Sequence, residues 1–143
     1  MPARLSANQP CPCGSGRRAK GCCGPVLAGE PAPTPEALMR SRFTAYAIGA
    51  VGHLMRTCAP EGPHFSADAA AWRADLTAWC DAVTFDGLTV LGSGEDGDRG
   101  TVTFHARLHR GAEDLSFGET SRFVKRDGRW LYVDGDISPG RAP

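Results

Sequence analysis

Two different periodicities of apolar residues divide the chain. From residue 34 to about residue 83 they recur every three to four positions, as in helices, and from Thr84 onward apolar and polar residues alternate, as in strands. Helices followed by a strand meander predict an α+β fold, in which the helices cover one face of a curved antiparallel sheet. A strongly curved sheet would leave a cone-shaped cavity under the helices.

Three helices are predicted in the first half of this region. The first has Thr34 as its N-cap and Pro35 at its first helical position, and it runs to about Ile48, before Gly49. A short second helix passes through Val51, Leu54, Met55 and Cys58. A third helix, capped by Ser66, has an apolar stripe for which we expect burial against a large surface; the stripe comprises Trp72, Leu76, Trp79 and Val83.

Four strands are predicted in the second half. They extend from Thr84 to Leu91, Thr101 to Arg110, Leu115 to Lys125 and Arg129 to Asp134. Glycine-rich and acidic stretches separate them, the longest at residues 92–100. Asp127-Gly128, between the last two strands, suits a tight type I′ hairpin turn.

Charge and hydropathy exclude some functions. Sixteen basic and sixteen acidic side chains give a formal net charge of zero, so no overall field attracts nucleic acid or an anionic membrane. Nucleic-acid binding would have to be local. No apolar run approaches the roughly 18 residues of a membrane span, and no signal peptide is evident, so we expect a cytoplasmic protein with reduced thiols.

Four of the six cysteines lie within thirteen residues, in the order Cys11, Cys13, Cys22 and Cys23. Four thiolates on one short loop can surround a single tetrahedral Zn²⁺, and because sulfur would fill every position the metal would be structural. The alternatives are two disulfides or four unrelated thiols, although a vicinal pair fits a disulfide scheme poorly. Three basic residues of this loop are placed to offset the thiolate charge: Arg17, Arg18 and Lys20.

The chain is thereby divided into three predicted segments. Residues 1–24 form the cysteine module, residues 25–33 form a linker rich in proline and glycine, and residues 34–143 form the α+β domain. The remaining cysteines, Cys58 and Cys80, lie in apolar helical stripes and are expected to be small buried hydrophobic side chains.

The segment CPCGSGRRAKGCC resembles the SEC-C motif of the SecA translocase tail, where such a zinc module contacts chaperone and ribosome. Residues 35–46, 119–123 and 130–135 (PEALMRSRFTAY, ETSRF and WLYVDG) are similar to the YchJ family, also called UPF0225. This resemblance covers nearly the whole chain and implies an NTF2-like cone behind the zinc module. Some relatives carry a second, C-terminal SEC-C motif, whereas this sequence ends at Arg141-Ala142-Pro143, so binding that needs both modules is not expected.

Candidate pocket residues follow from strand alternation and from the family pattern. Alternation places Glu119 and Ser121 on one strand face, between two aromatic residues. By resemblance to the family, Arg40 and Arg42 of the first helix are the candidates to meet that face, and Tyr46 lies one turn beyond Arg42. These residues could line the cone, or Glu119 and Arg42 could simply form a buried ion pair that fixes the helix to the sheet.

Two functions follow as hypotheses. The first is an adaptor whose zinc module docks a protein or ribosomal partner. The second is a small-molecule binder or enzyme that uses a pocket around Glu119, Arg42 and Tyr46. No catalytic residue is assigned, because no set of nucleophile, base and orienting group is recognisable in the sequence.

Overall fold

A computed structural model describes residues 5–139 of the chain. Within this range it contains four α-helices, a 3₁₀ turn and five strands. Residues 1–4 of the predicted cysteine module and residues 140–143 of the predicted α+β domain lie outside the described residues. The second of these stretches is the C-terminus, where some relatives carry a second motif. The elements are the 3₁₀ turn Ala19–Gly21, α1 Cys23–Leu27, α2 Pro35–Ile48, α3 Val51–Arg56, α4 Ala69–Ala82, β1 Thr84–Asp96, β2 Arg99–Arg110, β3 Glu113–Asp114, β4 Phe117–Arg126 and β5 Arg129–Pro139.

The two long helices begin at side-chain caps. The Thr34 hydroxyl accepts a hydrogen bond from the Ala37 amide at 3.0 Å, and α2 ends at Gly49, as predicted. The start of α4 was predicted wrongly: the Asp68 carboxylate, and not Ser66, accepts the bond from the Ala71 amide, at 3.1 Å. Asp68 is better placed because its negative charge also faces the positive end of the helix dipole.

The second predicted helix is shorter than expected. α3 ends at Arg56, and the segment after it pairs with β5 instead of continuing as a helix. The Tyr132 amide donates to the Thr57 carbonyl at 2.8 Å, and the Ala59 amide donates to the Tyr132 carbonyl at 2.8 Å. Cys58 therefore lies beside the sheet, where it is buried as predicted.

The sheet is antiparallel, with strand order β1-β2-β4-β5, and the short β3 pairs with the end of β2. β1 and β2 are longer than predicted, since the glycine-rich stretch 92–100 continues their ladder to the pair Asp96 and Arg99. Backbone hydrogen bonds hold this exposed ribbon and do not require apolar side chains. In the β4–β5 turn, Asp127 and Gly128 have φ values of 51° and 77°, as a type I′ turn requires.

Helices packed on this antiparallel sheet confirm the predicted α+β architecture. Register shifts in β1 and between β4 and β5 bend the strands. The α4 stripe is not fully buried as predicted: Trp72 and Leu76 are half-buried, and Trp79 is 37% exposed. Trp72 and Leu76 pack against the core clusters on one side, and with Trp79 they also line the open space between α4 and the sheet, whereas Val83 is buried as predicted. None of the helices within residues 5–139 is long and apolar enough to cross a membrane.

The cysteine segment packs onto the domain. The stretch 25–33, for which the sequence predicted a linker, begins inside α1, and its Val26 and Ala32 are buried in the same core cluster as Leu38. Three of the four clustered cysteines belong to this core too. Apolar contacts therefore hold this stretch against α2.

Candidate functional sites: a cysteine cluster and a cone cavity

The structure brings the four predicted cysteine ligands together. The sulfur atoms of Cys11, Cys13, Cys22 and Cys23 all lie within 4.8 Å of one another, and the cluster could hold a metal ion. A tetrahedron of Zn–S bonds of about 2.3 Å has sulfurs about 3.8 Å apart. The distances of 3.5 Å from Cys13 to Cys22 and 4.0 Å from Cys22 to Cys23 bracket that value. The donor set therefore fits a closed, four-coordinate site.

Backbone hydrogen bonds fold the loop around the sulfurs. The Cys11 amide donates to the Arg17 carbonyl at 2.9 Å, and the Cys22 amide donates to the Ala19 carbonyl at 3.1 Å. Gly14 has a φ of 78°, and a Cβ there would lie 3.0 Å from a carbonyl oxygen of β1. Glycine at this position thus allows both the left-handed turn and the close approach to the sheet.

Among residues 5–139, four polar side chains outside the set of ligands lie within hydrogen-bonding distance of cysteine sulfurs. Ser15 lies 3.1 Å from the Cys22 sulfur, and Arg17 donates to the same sulfur at 4.0 Å. Two residues of α2 complete the set. Arg40 donates to the Cys13 carbonyl at 2.9 Å and to its sulfur at 3.8 Å, and Thr44 donates to the Cys23 sulfur at 3.4 Å. Such outer partners fix metal ligands in place and stabilise thiolate charge.

The crowding of the cysteines alters their ionisation. Hydrogen bonds from Cys13 and Cys23 lower the pKa of Cys11 to about 3, whereas the interactions with Cys11 and Cys13, together with burial, raise the pKa of Cys23. One thiolate thus makes ionisation of its neighbour costly. A divalent cation supplies the positive charge that allows all four sulfurs to ionise together.

The basic residues of the loop are arranged unequally. Arg17, Arg18 and Lys20 are all exposed, but Arg17 is the one that donates to a cysteine sulfur. The predicted compensation of thiolate charge therefore comes from Arg17 together with Arg40, which the sequence analysis had assigned to the pocket.

A second site is the cone cavity, a space of about 370 Å³ between α2, α4 and the concave face of the sheet. Most of its wall is apolar or aromatic. Arg42, Tyr46, Glu119 and Ser121 line the cavity, along with Met39, Phe43, Leu54, Cys58, His64, Trp72, Leu76, Trp79, Phe85, Phe104, Ala106, Leu108, Phe117, Tyr132 and Ile137. Arg40 lies beside the cysteines instead, because residues two apart on a helix point in nearly opposite directions.

Glu119 is the carboxylate of this cavity. Tyr132 donates its hydroxyl proton to Oε2 of Glu119 at 3.0 Å, and the Ser121 hydroxyl donates to the same oxygen. Gly135, paired opposite Ser121, makes room for this arrangement, since a Cβ at position 135 would collide with the Glu119 carboxylate. Both bonds end on Oε2, so Oε1 is the oxygen available to a bound molecule.

The predicted ion pair between Arg42 and Glu119 does not form within the described range. The Arg42 guanidinium donates to the Leu54 carbonyl at 3.0 Å and to the Thr57 hydroxyl at 2.6 Å. It lies over the Tyr132 ring, 4.7 Å from its centroid. Tyr132 thus separates the two charged groups, with Arg42 on its ring and Glu119 at its hydroxyl. Tyr132 was not among the pocket residues predicted from the sequence.

The predicted phenol, Tyr46, lies further away in the same cavity. Its ring stacks on Phe85 with centroids 5.4 Å apart, and burial raises its pKa. Burial and the nearby Glu119 carboxylate also raise the pKa of Tyr132. Both phenols therefore stay protonated at neutral pH and act as hydrogen-bond donors.

A helix-covered antiparallel sheet preceded by a four-cysteine loop defines the class of this protein as an NTF2-like domain with a SEC-C motif. The model of the middle NTF2-like domain of YchJ matches residues 34–135, and the SEC-C motif matches residues 8–25. The chain belongs to the YchJ family, as the resemblance in its sequence predicted.

Individual relatives agree with this assignment. A UPF0225 protein of Sodalis glossinidius is 41% identical over 138 residues, which are 92% of this chain and 86% of that one. The solution structure of a SEC-C motif protein from Rhodopseudomonas palustris is 42% identical with a TM-score of 0.78, over 90% of this chain and 98% of that one. A SEC-C motif protein from Psychrobacter arcticus shares the fold, with 21% identity and a TM-score of 0.74 over 95% and 86% of the two chains.

Proposed function

We propose that this chain is a zinc-stabilised cytoplasmic protein that binds a small molecule in the cone cavity. The zinc part rests on four sulfurs with the spacing of a tetrahedral site and on the match to the SEC-C motif. The metal would be held by Cys11, Cys13, Cys22 and Cys23. Because sulfur fills all four positions, the ion would organise the loop and would not activate water.

The binding part rests on one observation, which is a half-buried carboxylate with a free oxygen inside a largely apolar cavity. Glu119 is held by Ser121 and Tyr132 through Oε2, and its Oε1 accepts no hydrogen bond within residues 5–139. Oε1 is not enclosed by protein, so it is open to whatever occupies the cavity. A ligand with one N–H or O–H group and an apolar body would donate to Oε1 while filling the rest of the cavity.

The size of the cavity limits the ligand. A volume of about 370 Å³ lies near the lower end of the range for small-molecule sites. Trp72, Leu76 and Trp79 cover one side from α4, and Trp79 is partly exposed at the edge. A single aromatic or branched aliphatic group therefore suits the site better than a long chain.

Binding of phenethylamine and 2-phenylethanol, compared with ethylbenzene, tests this proposal by NMR titration of the full chain. Both donor-bearing compounds should bind about tenfold more tightly than ethylbenzene, since one satisfied buried hydrogen bond contributes about 1–2 kcal/mol. In Glu119→Gln, phenethylamine should lose most of that advantage. Glu113→Gln, on exposed β3, is the matched control and should change nothing. Equal binding of all three compounds would remove the role of Glu119.

A second candidate function is docking of a protein or ribosomal partner through the cysteine module. It is supported by the exposed basic side chains Arg17, Arg18 and Lys20 on a loop that hydrogen bonds hold in shape. A ribosome surface is rich in phosphate, which such a cluster could contact even in a protein of zero net charge. Direct binding to free nucleic acid has no further support.

Co-sedimentation with ribosomes at about 0.1 M salt tests the docking candidate. The variant with Arg17, Arg18 and Lys20 all changed to Gln should stay in the supernatant if the module docks there. Its control changes three other exposed arginines to Gln, which are Arg73, Arg99 and Arg110. Equal sedimentation of the two triple variants would remove the module as the docking surface.

A further inference from the structure

A second cavity lies between the stretch 25–33, α3 and the start of β5. It also has a volume of about 370 Å³, and Arg56, Arg129, His53 and Trp130 contribute to its wall. We call it the arginine cavity. Val26, Ala32 and Leu38 supply apolar surface, and no residue of this cavity belongs to the proposed ligand site around Glu119.

Its two arginines carry uncompensated charge. Arg56 donates to the Leu27 carbonyl at 2.8 Å, and Arg129 donates to the Gly29 carbonyl at 3.0 Å. Within residues 5–139 neither guanidinium forms an ion pair with a carboxylate. A guanidinium has five N–H donors, so each arginine keeps at least three for another partner.

His53 positions Arg56 without cancelling its charge. The Ser41 hydroxyl donates its proton to the Leu38 carbonyl at 2.7 Å. The Ser41 oxygen therefore accepts the hydrogen bond from Nε2–H of His53, at 2.8 Å. Nδ1 of His53 is then unprotonated and accepts a hydrogen bond from Arg56 at 3.2 Å. Burial, together with the charges of Arg56 and Arg42, lowers the pKa of His53 to about 3, so the ring is neutral.

Trp130 supplies an aromatic part of the same wall. It is 2% exposed, and its indole Nε1 is enclosed by the described part of the protein, so this N–H does not reach a molecule in the cavity. Arg56 and Arg129 are both exposed, so their remaining N–H groups face solvent. An acceptor with negative charge would replace water there with charge-assisted hydrogen bonds.

We propose that the arginine cavity binds a small organic molecule that carries an oxyanion, either phosphate or carboxylate. The oxyanion accepts hydrogen bonds from Arg56 and Arg129, because oxyanions match the planar fork of a guanidinium. The organic part occupies the remaining volume against the apolar wall. Glu30 is exposed at the edge of this cavity and opposes binding by its like charge.

The test is an NMR titration of the full chain in which the Trp130 indole signal is followed. The chain has three tryptophans, and the other two line the cone cavity, so their signals distinguish the two sites. The probes are inorganic phosphate, phenyl phosphate and benzoate at constant ionic strength, with aniline as the neutral control. Phenyl phosphate and benzoate should each give a saturable shift of the Trp130 signal, and aniline should give none.

Charge variants distinguish specific binding in the arginine cavity from nonspecific attraction of anions to a positively charged surface. Arg129→Gln should weaken binding about tenfold or more, because a charge-assisted hydrogen bond is lost. Lys125→Gln removes a charge from over the Trp130 ring, 5.3 Å from its centroid, but outside the cavity, and should change binding by less than about twofold. Glu30→Gln should tighten binding. Because Arg129 is exposed and holds a single loop carbonyl, its substitution leaves the fold intact.

Three outcomes would overturn the proposal. They are the absence of saturation by phenyl phosphate and benzoate, equal weakening by Arg129→Gln and Lys125→Gln, and shifts confined to the other two tryptophans. If inorganic phosphate binds as tightly as phenyl phosphate, the cavity recognises only a free inorganic anion and the organic ligand is wrong. Failure of these tests would not count against ligand binding in the cone cavity, since the two cavities have no lining residue in common.

Discussion

Thr44 donates a hydrogen bond from its hydroxyl to the sulfur of Cys23, at 3.4 Å. The same oxygen lies 3.7 Å from the sulfur of Cys11. Thr44 is fully buried in the middle of α2, the helix whose other face lines the cone cavity through Arg42 and Tyr46. One helix therefore contacts the cysteine cluster on one side and the cavity on the other.

Loss of the Thr44 hydroxyl should weaken zinc retention. Thr44→Val keeps the volume and removes the hydrogen bonds to sulfur, so zinc affinity should fall by about tenfold or more. Thr44→Ser keeps the hydroxyl and is the control. Competition with a chromogenic chelator measures both variants. Equal zinc transfer from Thr44→Val and from the unmodified chain would show that the hydroxyl does not support the ligands.

Arg40 should affect the cysteine cluster and not the cavity. It bridges Glu36, at 2.9 Å, and the Cys13 carbonyl, so Arg40→Gln should accelerate zinc loss to a chelator. Phenethylamine binding should stay within about twofold of the unmodified chain, because Arg40 lies on the opposite side of α2 from the cavity. A large loss of phenethylamine affinity with unchanged zinc release would place Arg40 in the pocket, as the sequence pattern alone suggested.

A methyl group at position 135 should displace the Glu119 carboxylate. Gly135→Ala creates an overlap with that side chain, which must then leave its hydrogen bonds to Ser121 and Tyr132, at a cost of about 1–3 kcal/mol. Thermal unfolding should show this loss, and the preference of the cavity for donor-bearing ligands should disappear with it. Gly92→Ala, in a strand position with open space around it, is the control and should change the free energy of unfolding by less than about 0.5 kcal/mol. Equal stability of the two variants would mean that Glu119 does not lie over Gly135.

His53 should make the fold sensitive to acid. Its pKa is lowered from 6.5 to about 3, so between these values the unfolded chain binds a proton that the folded chain does not. Stability therefore rises with pH through this window and falls as the pH drops, by up to about 1.4 kcal/mol per pH unit. Urea unfolding between pH 4 and pH 7 measures the slope, which should be shallower in His53→Gln. Parallel slopes in the two proteins would exclude His53 as the cause.

The sequence predicted those features that depend only on neighbouring residues. The N-cap Thr34, the helix end at Gly49 and the turn at Asp127-Gly128 depend on residues within a few positions of each other, and all three are present. The cysteine cluster was equally accessible, because its four ligands lie on one short loop. Alternation along β4 also placed Glu119 and Ser121 on the cavity side.

Long-range packing explains what the sequence did not predict. Tyr132 reaches Glu119 through the register of β4 and β5, which includes a shift beside Phe123. Arg40 and Thr44 contact the cysteines because the module packs against α2, which could not be inferred from a segment read as a linker. Hydrogen-bond partners across such distances have no signature in the local pattern. The arginine cavity depends on the same packing.

The zinc content of the full chain tests the central claim most directly. Protein purified without chelator from zinc-supplemented cells should contain one zinc per chain by native mass spectrometry. Cys11, Cys13, Cys22 and Cys23 should resist alkylation until a chelator is added. Substantially less than one zinc per chain, together with rapid alkylation of Cys22 and Cys23 in the untreated protein, would contradict a metal centre at this cluster.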